Sequence, residues 1–154
     1  MMKKILSVLS AVVMLLTFKV QAAPESKIIL RLQGLEIMQG DENGMRLEDN
    51  ITKAEFAAVI CRMMGLNDVS GLKCDFTDVP EEHWAAGYIE AAHSAAITEG
   101  VGNNMFAPED NITYNQVCKM IVSLLGYGAA AENLGGWPVG YIAEAGIIHL
   151  TKGV

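Results

Sequence analysis

The residues of this chain whose types and spacing could do chemistry gather at two places. The string Glu-Asp-Asn-Ile-Thr occurs at 48–52 and again, word for word, at 109–113, a shift of 61 residues. The first copy continues as Lys53-Ala54-Glu55 and the second as Tyr114-Asn115-Gln116. Thr52 and Thr113 suit a helix N-cap, because a threonine oxygen accepts from a backbone N–H in the first turn. Glu55 and Gln116 stand three residues on, where a capping box reaches back to the cap's own N–H. Lys53 does not fit this account. It falls at the first helical position, where the dipole is positive and a cation costs up to ~1 kcal/mol. A cation beside unpaired helix N–H groups makes a site for an anion. The other reading is an exposed lysine extended into solvent. The chemistry on offer is binding.

The remaining reactive groups form no constellation. Gly-x-Ser-x-Gly, His-Glu-x-x-His and a phosphate loop are all absent from the sequence. His83, His93 and His149 show no ligand spacing with one another or with the cysteines. Three cysteines cannot close a disulfide framework by themselves. Cys61 and Cys118 fall among apolar residues and read as buried thiols, while Cys74 falls in a linker. Asp41-Glu42-Asn43-Gly44 opens like a calcium loop. Met45, Arg46 and Thr52 then stand where that loop needs a ligand, a glycine and a glutamate. Asn50 and Asn111 head glycosylation sequons, but asparagine before a cap is explained by the turn. The expectation is no enzyme, no metal and no cofactor.

The elements that must position Lys53 follow from periodicity. Ile51 with Phe56, and Ile112 with Val117, make hydrophobic staples around the two caps. Phe56, Val59, Ile60 and Met63 recur at helical spacing, as do Val117, Met120, Ile121 and Leu124. The spacing predicts helices over 53–64 and 114–125, each closed by a glycine, Gly65 and Gly126. Further helices are predicted over 23–37, with Ser26 as cap, over 83–96, and over 138–148. The stretches between are read as linkers. Ile29, Leu32, Leu35 and Ile37 match Ile89, Ala92, Ala95 and Ile97 at an offset of 60. Trp84, Tyr88, Ile89 and Ile97 match Trp137, Tyr141, Ile142 and Leu150 at an offset of 53. The expected fold is all-α, built of tandem helix-loop-helix repeats at 23–66, 67–127 and 128–154, the third of them incomplete. One such pair cannot bury its apolar face alone. Either the gene product continues past Val154 or another chain covers the last helix; continuation is the expectation.

Met1-Met2-Lys3-Lys4, an apolar run from Ile5 to Phe18 and Val20-Gln21-Ala22 read as a signal peptide cut after Ala22. A retained membrane anchor is the alternative. The whole chain of 154 residues has a net charge of −7; without the leader the balance falls to −10. That argues against nucleic acid or an anionic bilayer as the main partner, but does not exclude a local basic spot that binds an anionic polymer.

Asp75-Phe76-Thr77-Asp78-Val79-Pro80, His83-Trp84-Ala85, Ile89, Ala92, Gly100, Phe106-Ala107-Pro108, Ile112-Thr113 and Leu124-Leu125-Gly126 resemble the S-layer homology module. Residues 26–66 resemble a copy without the leading segment, and 137–154 the front half of a third. The resemblance implies a pseudo-threefold helical bundle. It also implies non-covalent anchoring of an exported protein to an anionic, often pyruvylated, secondary wall polysaccharide. The family's Ile/Leu-Thr-Arg-Ala-Glu motif falls on Ile51-Thr52-Lys53-Ala54-Glu55, with lysine for arginine. In Ile112-Thr113-Tyr114-Asn115-Gln116 both charged residues are gone. The polysaccharide-binding residues implied are Thr52, Lys53, Glu55, Trp84, Thr113, Tyr114 and Gln116. Tyr114 would stack on a sugar or lie at the surface. Trp84 and Trp137 would flank grooves between repeats, or anchor the core, which is the preferred reading. The rival expectation is a structural or assembly protein that has lost polysaccharide binding and uses its last helix for chain–chain contacts.

Overall fold

The computed structural model describes residues 27–40 and 44–151. The predicted cleavage site, the Ser26 cap, the 41–43 loop and the chain end after Thr151 lie outside the described residues. The helices are α1 (Lys27–Gly34), α2 (Lys53–Met63), α3 (Ala86–Ser94), α4 (Tyr114–Leu124), α5 (Gly128–Asn133) and α6 (Val139–Ile147). Among the described residues there are no strands, only isolated bridges, so the all-α expectation holds.

The two capped helices begin where their boxes predict. Thr52 Oγ1 accepts from the Glu55 N–H at 3.2 Å, and the Thr52 N–H donates to Glu55 Oε2 at 2.8 Å. Thr113 and Gln116 repeat the exchange at 3.4 and 2.9 Å. Gly65 and Gly126 end the helices with φ of 81° each, the left-handed conformation that glycine adopts without a Cβ clash.

Helices α1, α3 and α6 end in one shared device. Glu36, Ala96 and His149 adopt φ of 57°, 55° and 61°. The next residue, Ile37, Ile97 or Leu150, is buried and donates its N–H back to Leu32, Ala92 or Ala145, each time at 2.9 Å. That is the bond pattern of a Schellman end, here held by non-glycine residues whose strain the buried neighbour offsets. It stops α1 and α3 before the predicted 37 and 96. The predicted start at 83 also moves, to Ala86, because His83 Nδ1 accepts from the Ala85 N–H at 3.1 Å and holds a turn there. The predicted linker after Gly126 contains an unforeseen helix, α5. Its Ala131 is fully buried and its carbonyl faces Gly140 of α6, where any Cβ would sit 2.0 Å away. Gly140 therefore permits the α5–α6 approach.

Packing crosses the repeat boundaries. α3, the first helix of the second repeat, lies along α2, the second helix of the first repeat. α6 lies along α4 in the same way. The core between them is Phe56, Ile60, Ile89, Val117 and Ile121, with Phe76 and Phe106 closing one side. Burying a residue such as Phe56 or Ile60 stabilises by about 1.5–3 kcal/mol. No helix among the described residues lies along α1 as α3 lies along α2.

The two Glu-Asp-Asn-Ile-Thr strings touch each other. Thr52 and Asn111 form an antiparallel bridge, with the Ile112 N–H donating to the Ile51 carbonyl at 3.0 Å. The turn that carries the second string is fixed from the front of its own repeat. Both Asp78 oxygens accept there, from the N–H groups of Phe106 and Ala107 at 2.8 and 2.6 Å. Asn104 Nδ2 donates to the Asp75 carbonyl at 2.7 Å. The Asp75-Phe76-Thr77-Asp78 signature is thus a clamp on the glycine turn.

Candidate functional site

Lys53 is not a solvated lysine. Its side chain is only 10% exposed and its Nζ donates to Asp110 Oδ2 at 3.2 Å. Nor are the N–H groups beside it free, as an anion site at the helix start would need. The Lys53 N–H donates to the Asp110 carbonyl at 2.9 Å and the Ala54 N–H to the Pro108 carbonyl at 3.0 Å. The Glu55 N–H donates to Thr52 Oγ1 and the Thr52 N–H to Glu55 Oε2. All four donors that a helix start leaves open are satisfied. The second repeat's turn occupies the end of α2, and what remains for an anion there is the ammonium alone.

Glu55 is likewise committed. Oε2 holds the cap and Oε1 accepts from Arg46 Nη2 at 2.6 Å. The equivalents of Arg46 and Glu55, 61 residues on, are Ala107 and Gln116. The arginine and the carboxylate it pairs with are lost together. Gln116 keeps the cap through its amide oxygen without a charge that Ala107 could not balance.

A groove of about 480 Å³ opens beside these caps, between the repeats. Lys53 and Gln116 line it, with Thr98, Glu99 and Gly100 from the turn after α3, Lys119 from α4, and Trp137 before α6. Lys119 is held on two sides. Its Nζ lies 5.6 Å from the ring centres of both Trp137 and Tyr141, and 2.6 Å from Glu99 Oε2. An ammonium over an aromatic face is attracted by the ring quadrupole. The hydrogen bond and charge of Lys119 hold the Glu99 carboxyl below its ordinary value. Trp137 is 48% exposed, so it offers apolar ring surface to the groove.

The structure therefore brings together Lys53 and Gln116, with the caps Thr52, Glu55 and Thr113 beside them. It does not bring Trp84 or Tyr114 into this groove. Trp84 is 56% exposed and stacks on His83, ring centres 6.0 Å apart. The preferred core role for the two tryptophans is overturned: both are exposed, and beside Trp84 the interior is filled by Ala85, Phe76 and Val79. Tyr114 bonds with Thr151 and Cys118, and burial is the main reason its hydroxyl is pushed above its ordinary value. Glu99 and Lys119 were not singled out from the sequence. Lys119 lies six residues after the Thr113 cap, a position where α2 carries Ala58.

Cys61, Cys74 and Cys118 are free thiols. No cluster of three or more metal-ligating side chains occurs among the described residues. None of the described helices is long and apolar enough to cross a membrane.

Comparison with known proteins agrees with this architecture. The S-layer homology domain profile matches residues 20–57 and 75–118, together just over half of the chain. A "Cell surface protein" of Thermoanaerobacter kivui is 32% identical over 137 residues, 86% of this chain and 17% of that protein. A "Surface layer protein" of Brevibacillus choshinensis is 33% identical over 140 residues, 88% of this chain and 12% of that protein. An "Endoglucanase" of a Bacillus species is 37% identical over 79 residues, 51% of this chain and 8% of that protein. The chain thus spans under a fifth of the length of the surface proteins it matches. On the profile match and the repeat geometry together, this chain belongs to the S-layer homology domain family.

Proposed function

We propose that this chain fastens an exported protein to the bacterial wall by binding an anionic wall polysaccharide, without catalysis, in the groove between its repeats. Family membership and surface-protein relatives make it a secreted, wall-associated chain. The observation that carries the finer reading is the pair of groove ammonium groups, Lys53 and Lys119. In a chain of net charge −7 they put two ammonium groups on one groove, each paired with a carboxylate, beside an exposed tryptophan ring. A saccharide has apolar ring faces for Trp137 and, if acidic, a charge for an ammonium. Lys53 and Lys119 meet the carboxylate or phosphate, a pyruvyl ketal being one such group. Thr52, Glu55, Thr113 and Gln116 hold the two helix starts that frame the groove. Trp84 and Tyr114 offer aromatic surface outside it.

The test is co-sedimentation of the mature chain with sacculi that carry their acidic polymer and with sacculi stripped of it. The proposal expects pelleting with the first alone. Equal pelleting with both, or none with either, refutes it.

One observation favours a second reading, chain–chain assembly. α1 and the residue that follows it expose Leu30 and Leu35, and α6 exposes Val139 and Ile147. Concentration-dependent sizing decides it: a stable dimer with no affinity for sacculi supports assembly over anchoring.

A further inference from the structure

The groove has two cations, and each already has an anion. The two anions differ in how they are held. Asp110 is pinned, because its carbonyl accepts from the Lys53 backbone while its carboxylate meets the Lys53 side chain. Glu99 has no such tether. Its side chain is 78% exposed, it stands in the turn after α3, and among the described residues its side-chain hydrogen bond is to Lys119. Lys119 is the fixed member of the pair, 21% exposed and set against two aromatic rings. The ammonium stays and the carboxylate is free to leave.

We infer that Glu99 is a specificity-determining residue: a resident counter-anion on Lys119 that an acidic ligand must replace. The inference rests on the groove reading above and says how that groove chooses. A ligand carboxylate or phosphate brings the charge that Glu99 withdraws, so Lys119 stays neutralised throughout the exchange. Glu99 swings into water, where a carboxylate is well solvated. A neutral glycan has nothing to exchange. It either leaves Glu99 in place and finds the groove obstructed, or displaces it and leaves a part-buried ammonium unpaired, which is costly. Discrimination against neutral polymers thus comes from a charge belonging to the chain itself, as in other sites that reject a competitor by repulsion or desolvation.

The experiment uses the full mature chain and sacculi with intact acidic polymer, compared with stripped sacculi. Glu99→Gln and Glu99→Ala remove the resident charge. Both should bind intact sacculi about 2–5-fold tighter than wild type at the same salt, the size of a mostly exposed ion pair. Glu99→Asp, with its shorter reach, should fall between. Circular dichroism confirms that each variant is folded. If wild type prefers intact sacculi and both Glu99 variants bind no tighter, the exchange is refuted and the groove reading stands. If wild type does not distinguish the two sacculi, both fall.

Discussion

Replacing Lys53 by methionine separates the two roles this residue has. Methionine keeps the buried stem and has similar helix propensity, so packing and local preference change little. Three terms remain. The ion pair to Asp110 is lost; with one partner 10% and the other 70% exposed it is worth about 0–1 kcal/mol. The unfavourable cation at the first helical position is also lost, a gain of up to ~1 kcal/mol. The backbone bonds from Lys53 and Ala54 to the second repeat do not involve the side chain and persist. The stability of Lys53→Met should therefore lie within about 1 kcal/mol of wild type, a shift of a few degrees in Tm. Binding should respond differently. A hydrogen bond to a charged partner contributes ~1.5–3 kcal/mol, so affinity for acid-bearing sacculi should fall roughly 10–150-fold. Urea unfolding followed by circular dichroism gives the first quantity and a sacculus pull-down isotherm the second. A variant that binds like wild type refutes the argument. So does one that loses several kcal/mol of stability, since Lys53 would then be a structural clamp.

Thr52→Ala and Thr113→Ala should each cost about 1 kcal/mol, the loss of one cap, read by urea unfolding. Asp78→Ala should cost more, about 2–4 kcal/mol, because two backbone N–H groups lose a charged acceptor at once; Asp78→Asn should recover part of it. Gly100→Ala should be worse than Gly126→Ala by ~1 kcal/mol or more in thermal melts. Both glycines have positive φ, but a Cβ at Gly100 would lie 2.4 Å from the Met105 carbonyl oxygen while Gly126 faces open space. Burial pushes the Cys61 thiol from 9.0 up to about 11. The unfolded thiol ionises first, so the stability Cys61 contributes is intact below pH 9 and is lost as pH rises toward 11. Cys61→Ala should flatten that part of the pH–stability curve, and an unchanged slope would refute the assignment.

The caps and the two capped helices were legible because their causes are local. Thr52 with Glu55 and Thr113 with Gln116 need only four residues each, and Gly65 and Gly126 mark the ends unaided. α5 was hidden because its Ala-Ala-Ala core stands between Gly128 and the Gly135-Gly136 pair, which read as linker punctuation. Only the close approach at Gly140 shows what holds it. Trp84 misleads for the opposite reason. A large aromatic at a repeat position reads as core, yet the small Ala85 takes the interior place and leaves the indole outside. The occupied N–H groups of α2 were not readable at all. Their acceptors, Pro108 and Asp110, lie more than 50 residues away, and no local pattern signals that the two identical strings lie against each other.

That contact explains why the second motif departs from the first without argument about lost function. In the first repeat the box carboxylate has two tasks, one oxygen on the cap and one on Arg46. In the second, alanine replaces the arginine, and an amide does the single task left. The substitution at Gln116 follows from Ala107 before any ligand is considered. The groove, moreover, does not belong to one repeat. Lys53 comes from α2, Glu99 from the turn after α3, Lys119 from α4 and Trp137 from the segment before α6. Because α3 packs on α2 and α6 on α4, the register between repeats is set by the core, and the core sets the spacing of the two cations. A motif that looks degenerate in isolation can thus complete a site to which its neighbours supply the charge.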